Sequence, residues 1–324
     1  MPDPTPGRTH CYTGSMRAIG VTTFDGPDSL EEVDLPERHA GPGEVRLRVH
    51  AAAVNPTDTY HADGSRADML AAAGPPPYIP GMDVAGVVDE IGSDVDTGVA
   101  IGDHVMAIVI PKGSHGGYSE SLVLPAASVV AVPAGASDVE ACTLPMNGLT
   151  ARLTLDLLAL SPGDTLLVTG AAGAYGGYVV QLAKADGLRV IADASEADEQ
   201  LVRDLGADVV VRRGPDIAAR LGEQVDAVAD GSVQNAELFD AVRDGGGFAT
   251  VRGFRADAPR GITIHQVWVR EYATAHDQLD RLREQVEAGQ LTLRVARTFP
   301  AADAAEAQRV LAKGGTRGRL VLEL

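Results

Sequence analysis

Apolar residues between positions 16 and 133 recur with the two-residue period of β-strands. The segment "EVRLRVHAAAV" (44–54) alternates before it becomes continuously apolar, and "DVAGVVDEIG" (83–92) and "HVMAIVI" (104–110) are further strand candidates. Glycine and proline separate these runs, and the exception is "SRADMLAAAG" (65–74), which has a helical pattern. This half of the chain therefore predicts a β-rich domain.

The pattern changes near residue 138, where short apolar strands begin to alternate with helices. A helix broken at Pro145 is followed by "DTLLVTG" (164–170) and by a helix that continues to Lys184. The next strand–helix pairs are "RVIAD" with "EADEQLVRDLG", "DVVV" with "PDIAARLG", and "VDAVADG" with "NAELFDAVRDGG" (235–246). The strand "FATVRGF", two helices and a last strand "GRLVLEL" complete the chain. Such alternation predicts an α/β fold with a doubly wound parallel sheet.

The charge balance excludes several classes of partner. The 324 residues include 27 Lys and Arg against 45 Asp and Glu, a net charge of −18, whereas nucleic-acid binding needs clustered basic residues.

No run of about 18 apolar residues occurs, so no membrane partner is expected. Residues 1–15 lack the apolar stretch of a signal peptide, and we expect a flexible tail on a cytoplasmic protein. Cys11 and Cys142 are too few for a disulfide framework or a Cys-rich metal site.

The segment "LLVTGAAGAYGGYVVQLAK" (166–184) predicts a strand, a glycine-rich turn and a helix. On the frame G-x-G-x-x-G the turn reads Ala171, Gly173 and Gly176, so that alanine replaces the first glycine. The unpaired amides of a helix start attract phosphate, and glycine lets the backbone approach it. Such a turn also serves simple strand–helix packing. In the βαβ context we expect it to bind the diphosphate of a dinucleotide through Gly170, Ala171, Gly173, Ala174, Tyr175 and Gly176.

The choice of nicotinamide cofactor depends on the end of the next strand. "RVIAD" places Asp193 where a carboxylate accepts hydrogen bonds from the adenosine ribose and repels a 2′-phosphate, which favours NADH. Asp193 could instead cap the helix that begins near Glu196. Lys184 or Ser195 could still contact a 2′-phosphate, so NADPH stays open.

Several ordered blocks together resemble a known family. They are "GPGEVRLRVHAAAVNPTDTYHADG" (41–64), "PYIPGMDVAGVVDEIGSDV" (77–95), "GGYSESLVLP" (116–125), "LPMNGLTA" (144–151), the glycine turn and "GGTRGRLVLEL" (314–324). From Met16 to Leu324 the chain resembles the zinc-independent medium-chain dehydrogenase/reductases, in the quinone oxidoreductase (zeta-crystallin-like) branch. The resemblance implies a GroES-like β-barrel catalytic domain (16–137 plus 275–324) with an inserted Rossmann domain (138–274). It also implies NADPH as the cofactor.

The resemblance also bears on metal chemistry and on the reaction. Where zinc-dependent relatives carry their ligands, this chain has Asn55, Met82 with Asp83, and Met146 with Asn147, so no zinc is expected. Hydride transfer to a quinone or similar conjugated carbonyl is then the expected reaction. The alternatives are an enoyl reductase acting on an α,β-unsaturated carbonyl or polyketide-type intermediate, and a non-catalytic NAD(P)H-binding protein.

The same resemblance implies which residues line the cleft. Asn55 would donate its amide to the substrate carbonyl or contact a ribose, and Tyr60 would stack on the acceptor, donate a hydrogen bond or supply a proton. Ala62 stands where the family often carries arginine, which argues against an anionic substrate. The residues implied to face the nicotinamide are Asn147, Thr150, Gly253 and Phe254.

The family resemblance implies a homodimer in which the edge strands of two Rossmann sheets pair. The apolar, alternating segment "GITIHQVWV" (261–269) is the candidate for that edge.

Overall fold

A computed structural model describes residues 14–324 of the chain, so the predicted tail lies outside the described residues except for its last two positions. The strands are β1 (Ser15–Val21), β2 (Leu30–Pro36), β3 (Glu44–Val54), β4 (Asp83–Ile91), β5 (His104–Ile108), β6 (Ser121–Pro125), β7 (Val129–Ala131), β8 (Thr165–Thr169), β9 (Arg189–Ala194), β10 (Val209–Arg212), β11 (Val225–Asp230), β12 (Val242–Thr250), β13 (Thr263–Gln266), β14 (Val295–Pro300) and β15 (Arg319–Glu323). The α-helices are α1 (Thr59–Ala62), α2 (Ala67–Ala73), α3 (Asp138–Ala141), α4 (Pro145–Leu158), α5 (Ala174–Ala185), α6 (Glu199–Asp204), α7 (Ile217–Leu221), α8 (His276–Glu287) and α9 (Ala304–Lys313).

The first half of the chain and its last two strands form a largely antiparallel sheet in the order β14-β15-β3-β4-β5-β7, with β6 also paired to β3. Alternating residues of β3 are buried, as the two-residue period predicts. The C-terminal strand β15 pairs with β3, with Val321 opposite Ala53. The tail of the chain thus returns to the first sheet, as the GroES-like domain requires.

The second half forms a parallel sheet in the order β10-β9-β8-β11-β12-β13. Counted along this domain the order is 3-2-1-4-5-6, the arrangement of a Rossmann domain. Its switch point lies between β8 and β11, which run side by side from Leu166 and Ala227 onward. Ligands bind outside the carboxyl ends of the strands at such a point. The predicted fold class is confirmed, and the predicted limits of the two domains stay a prediction.

One predicted helix is wrong. Residues 235–241 form a 3-10 helix, and β12 begins at Val242 rather than at Phe248. Val242 is β-branched and pairs with Val225 of β11, and the glycines that follow it do not favour a helix. The break predicted at Pro145 is present, because Pro145 occupies the first turn of α4, where its missing N–H is not needed.

None of the helices in the described part of the chain has the length and apolar character needed to cross a membrane.

Candidate active site

The glycine turn lies at the switch point of the parallel sheet, between β8 and α5. Gly170 has a φ of +66°, a left-handed conformation that favours glycine. A Cβ on Gly176 would lie 2.4 Å from the Gly170 carbonyl oxygen, so only glycine lets the helix approach the turn this closely. Gly173 and Ala174 at the helix start are partly exposed. The turn therefore fits the diphosphate of a nicotinamide dinucleotide.

Arg294 supports this turn from the segment that precedes β14. Its guanidinium donates hydrogen bonds to the carbonyl oxygens of Ala172, at 3.1 Å, and Gly173, at 2.7 Å. Burial lowers the pKa of this guanidinium. No sequence motif points to Arg294, which lies more than 100 residues from the turn in the chain. Its contacts tie the C-terminal segment directly to the predicted cofactor site.

The predicted role of Asp193 needs a correction. Asp193 is fully buried, and its carboxylate accepts hydrogen bonds from the Ala171 N–H and from Arg213 Nε, both at 3.2 Å. It holds the glycine turn in place and does not present a free carboxylate to a ribose. The argument for NADH from charge repulsion therefore loses its basis.

The predicted role of Lys184 is also wrong. Lys184 lies in the last turn of α5, about 15 Å along the helix from the glycine turn. Its Nζ donates to both carboxylate oxygens of Asp208 at 2.8 Å. A side chain held at that end of α5 does not reach a phosphate at the other.

Arg213 is the basic residue that the sequence analysis missed near the adenosine end of the site. Its N–H donates to the Ala194 carbonyl oxygen at 2.8 Å, and its side chain is 38% exposed. The neighbouring Ser195 donates its hydroxyl to Asp198 at 2.5 Å. The sequence signal for Arg213 is "VVVRR" (209–213). Because β9 and β10 are parallel and end at the same edge of the sheet, a residue that follows β10 lies beside the end of β9.

A buried polar network joins the end of β3 to β4, α4 and β15. The Nδ2 of fully buried Asn55 donates to Asp83 at 2.7 Å, and the Met146 N–H donates to the other carboxylate oxygen at 2.5 Å. In the orientation that turns its amide oxygen toward Arg319, Asn147 accepts a hydrogen bond from Arg319 Nε at 2.9 Å. Burial raises the pKa of Asp83 to about 6, against the opposing charge of Arg319. The Asn55 amide, predicted to donate to the substrate, is therefore committed to Asp83.

The same network tests whether a catalytic zinc fits. Zinc sites are built from Cys, His and carboxylate ligands, and the positions in question hold Asn55, Met82 with Asp83, and Asn147. Both oxygens of Asp83 accept hydrogen bonds, and the Met82 sulfur accepts from Thr57 at 3.1 Å. This donor set does not fit zinc.

A different cluster of potential metal ligands occurs in the described part of the chain, away from these positions. His50 and His104 each place Nδ1 against the Asp138 carboxylate, at 2.7 and 2.9 Å. These distances are those of hydrogen bonds between the side chains.

Asp58 organises the loop that leads from β3 to α1. Its fully buried carboxylate accepts hydrogen bonds from the Asn55 N–H at 2.7 Å, the Tyr118 hydroxyl at 2.9 Å and the Gly81 N–H at 3.2 Å. Burial raises the pKa of Asp58 to about 7 in spite of these donors. The loop that carries Tyr60 is therefore fixed from inside the protein.

Tyr60, on α1, meets the end of the Rossmann sheet. Its hydroxyl oxygen accepts a hydrogen bond from Nη1 of Arg252 at 2.5 Å, and Arg252 follows β12 directly after Val251. The guanidinium of Arg66 lies over the tyrosine ring, 4.8 Å from its centroid. Tyr60 therefore spans the space between the two sheets, at the carboxyl end of the parallel one.

The other predicted cofactor contacts have partners inside the protein. Thr150 donates its hydroxyl to the Met146 carbonyl at 2.5 Å, and the Tyr175 hydroxyl lies 2.8 Å from Thr154. Phe254 packs against Phe239, with ring centroids 6.2 Å apart. Gly253 has a φ of +72°, and a Cβ on it would lie 3.3 Å from the Trp268 ring. Their contacts with a nicotinamide stay predictions.

Comparisons with known proteins support this arrangement. A model of the alcohol dehydrogenase GroES-like domain matches residues 41–134, and a model of the zinc-binding dehydrogenase matches residues 205–322. A 2-haloacrylate reductase from Burkholderia sp is 31% identical over 92% of this chain and 96% of its own length. An NADPH-dependent alkenal/one oxidoreductase from Arabidopsis thaliana is 29% identical over 95% of this chain and 79% of its own length.

A solved structure is also similar to this chain over nearly its whole length. The quinone oxidoreductase from Coxiella burnetii superposes with a TM-score of 0.87 at 28% identity, covering 96% of this chain and 100% of that one. The similarity thus extends over both sheets.

Proposed function

We propose a conjugated-carbonyl reductase activity for this chain, which belongs to the quinone oxidoreductase branch of the medium-chain dehydrogenase/reductase family. It is an NAD(P)H-dependent oxidoreductase, as its relatives' names indicate. Those names include a haloacrylate, a quinone and alkenals or enones, which share a carbon–carbon double bond next to a carbonyl group. We propose an acceptor of this kind, a quinone or similar conjugated carbonyl.

The Tyr60 hydroxyl is the observation that carries the proposal. Its oxygen accepts from Arg252, so its own O–H is free to donate to the acceptor's carbonyl oxygen. Bound NAD(P)H would supply a hydride to the electrophilic carbon. Negative charge then develops on the carbonyl oxygen, and Tyr60 stabilises it by hydrogen bonding or by giving up its proton.

The reaction proceeds without a catalytic metal in this proposal. The support is the donor set of Asn55, Met82 and Asn147, which does not fit zinc. An acceptor that is already electrophilic needs no metal to polarise it, whereas alcohol oxidation in zinc-dependent relatives does.

The test is the oxidation of NADH and NADPH, each with a benzoquinone and with a simple enone. Tyr60→Phe removes the O–H donor, and we expect kcat to fall about 100-fold, the range of a lost general acid. Tyr272→Phe is the matched control, because the Tyr272 hydroxyl bonds Asp156 and not the cleft. Turnover of neither acceptor by the unaltered protein would contradict the proposal and favour a non-catalytic role.

We further infer that NADPH is preferred over NADH. The Asp193 charge is buried and paired, whereas the Arg213 guanidinium is partly exposed at the carboxyl end of the sheet. Arginine binds phosphate through two parallel hydrogen bonds.

Arg213→Gln tests this preference. We expect its KM for NADPH to rise about 10-fold or more, the effect of losing one charge-assisted hydrogen bond, while its KM for NADH stays nearly the same. Arg203→Gln serves as the control because Arg203 pairs with Glu199 on the surface of α6. An equal rise of both KM values would show that Arg213 only supports Asp193.

A further inference from the structure

Two arginines flank Tyr60, the proposed donor to the acceptor. The guanidinium carbon of Arg66 lies 4.8 Å from the Tyr60 ring centroid, and that of Arg252 lies 5.8 Å from it. Arg252 also donates to the hydroxyl oxygen of the same ring. Arg66 comes from the loop before α2 and Arg252 from the end of β12, so two distant parts of the chain bring positive charge to one point.

Neither arginine has an acidic partner within the described residues. In a protein with 45 acidic and 27 basic residues, arginines such as Arg46, Arg283 and Arg317 form ion pairs, whereas no carboxylate lies within 4.0 Å of Arg66 or Arg252 in residues 14–324. Arg252 is exposed and Arg66 is partly buried. The two guanidinium groups repel each other, and an anion bound between them would remove that repulsion.

The position of the pair fits the reacting group of a substrate. Arg252 follows the carboxyl end of β12, where parallel sheets of this order bind their ligands. Tyr60 is the proposed donor to the carbonyl oxygen. An anion held by both arginines would therefore contact the same hydroxyl.

We propose that Arg66 and Arg252, together with Tyr60, bind the carboxylate of a small α,β-unsaturated carboxylate. This inference rests on the proposed function and names its substrate class: the conjugated carbonyl is itself a carboxylate. Ala62 stands where the family often carries arginine, and these two arginines from elsewhere in the fold supply the positive charge that Ala62 lacks.

The charge of the transition state explains why two arginines are needed. The hydride of NAD(P)H forms a C–H bond at the β-carbon, and the π electrons move onto the α-carbon and the carboxylate. A monoanion thereby gains a second negative charge, which two guanidinium groups stabilise more than they stabilise the substrate itself. A proton from Tyr60, replaced from water, completes the second C–H bond at the α-carbon, leaving NAD(P)⁺ and the saturated carboxylate.

The experiment compares 2-chloroacrylate with its neutral amide, using the full chain and saturating NADPH. The measured quantity is the ratio of kcat/KM for the anion to kcat/KM for the amide. We expect Arg66→Gln and Arg252→Gln each to lower this ratio about 10-fold to 100-fold, the range for losing a charged hydrogen-bond partner. Arg255→Gln removes an exposed arginine three residues from Arg252 and should leave the ratio as it is.

The ratio separates this inference from the proposed function. Arg252 orients Tyr60, so its loss slows both substrates, but only loss of carboxylate binding changes their ratio. Arg66→Lys, which keeps the charge, should restore part of the ratio and shows that the effect does not come from misfolding. If benzoquinone or an enone is reduced while both Gln variants keep the ratio of the unaltered protein, the carboxylate site is refuted and the proposed function stands. If no acceptor is reduced, the proposed function is refuted, and the carboxylate site that rests on it is refuted with it.

Discussion

At the scale of single residues, Asp58 and Asp83 show how burial changes the charge of a carboxyl group. Both are fully buried, and burial raises the pKa of Asp58 to about 7 and that of Asp83 to about 6. The ordinary value for an aspartate in an unfolded chain is about 3.9. The folded protein therefore holds the proton at Asp58 at pH values where the unfolded chain has already released it.

The sign of the pH dependence follows from this difference. Between about pH 4 and pH 7 the unfolded state loses the Asp58 proton before the folded state does, so the free energy of unfolding falls as the pH rises. Above pH 7 the loss is complete, and it amounts to about 4 kcal/mol at most. His61 and His115 act in the opposite direction, because burial lowers the pKa of each to about 4.

We predict that Asp58→Asn removes this part of the pH dependence. In urea unfolding, the change in the free energy of unfolding from pH 5 to pH 8 should be more negative for the unaltered protein than for the variant, and the histidine contributions cancel in this comparison. At pH 8 the substitution has two opposing effects. It removes the cost of a buried charge, but it also turns an amide N–H toward one of the former donors to Asp58, which lowers the free energy of unfolding by about 1–3 kcal/mol. Exposed Asp63→Asn is the control. Parallel pH curves for Asp58→Asn and the unaltered protein would contradict the prediction.

At the scale of secondary-structure elements, the close approach of α5 to the glycine turn depends on Gly176. We predict that Gly176→Ala weakens NADPH binding and lowers the free energy of unfolding by about 1–3 kcal/mol, because its Cβ would push the Gly170 carbonyl out of place. Cofactor fluorescence and urea unfolding measure the two effects.

Gly148→Ala in α4 is the matched control. Its Cβ would meet the methyl carbons Leu144 Cδ1 at 2.9 Å and Leu282 Cδ1 at 3.0 Å, which can move, whereas a backbone carbonyl cannot. An equal loss of NADPH binding in both variants would show that the turn geometry is not what the cofactor requires.

The elements also show how far the sequence predicts this protein. Alternation in β3 and the strand–turn–helix pattern of 166–184 are local, and both elements form where the pattern places them. The helix predicted over 235–246 is wrong, because its helical pattern competes with strand pairing to β11, and no local signal in the sequence shows that pairing. The ribose-binding role predicted for Asp193 is wrong for a similar reason, since its partner Arg213 directly follows a neighbouring strand.

The candidate site was less predictable than the fold for the same reason. The glycine turn is contiguous in sequence and was found, whereas Arg66, Arg252 and Arg294 meet their partners only after the chain folds. Arg252 and Tyr60 are 192 residues apart, and neither stands in a motif that names the other. The family resemblance identified Tyr60 as a site residue, but it identified neither of the arginines beside it.

At the scale of the whole molecule, β13 is the element that bears on assembly. β13 forms one edge of the parallel sheet and pairs only with β12 among the described strands, as the predicted dimer strand should. An edge strand with unpaired N–H and C=O groups can add a strand from a second copy.

We predict that two chains pair through β13. Light scattering should give twice the chain mass of 33.6 kDa for the unaltered protein. Thr263→Lys places a charge on the exposed start of β13 and should shift the mass toward that of one chain, because lysine on an edge opposes strand addition. Val209→Lys makes the same change on β10, the opposite edge of the same sheet, and should leave the dimer intact. Dissociation by Val209→Lys alone would place the interface at β10, and a single-chain mass for the unaltered protein would show that neither edge pairs in solution.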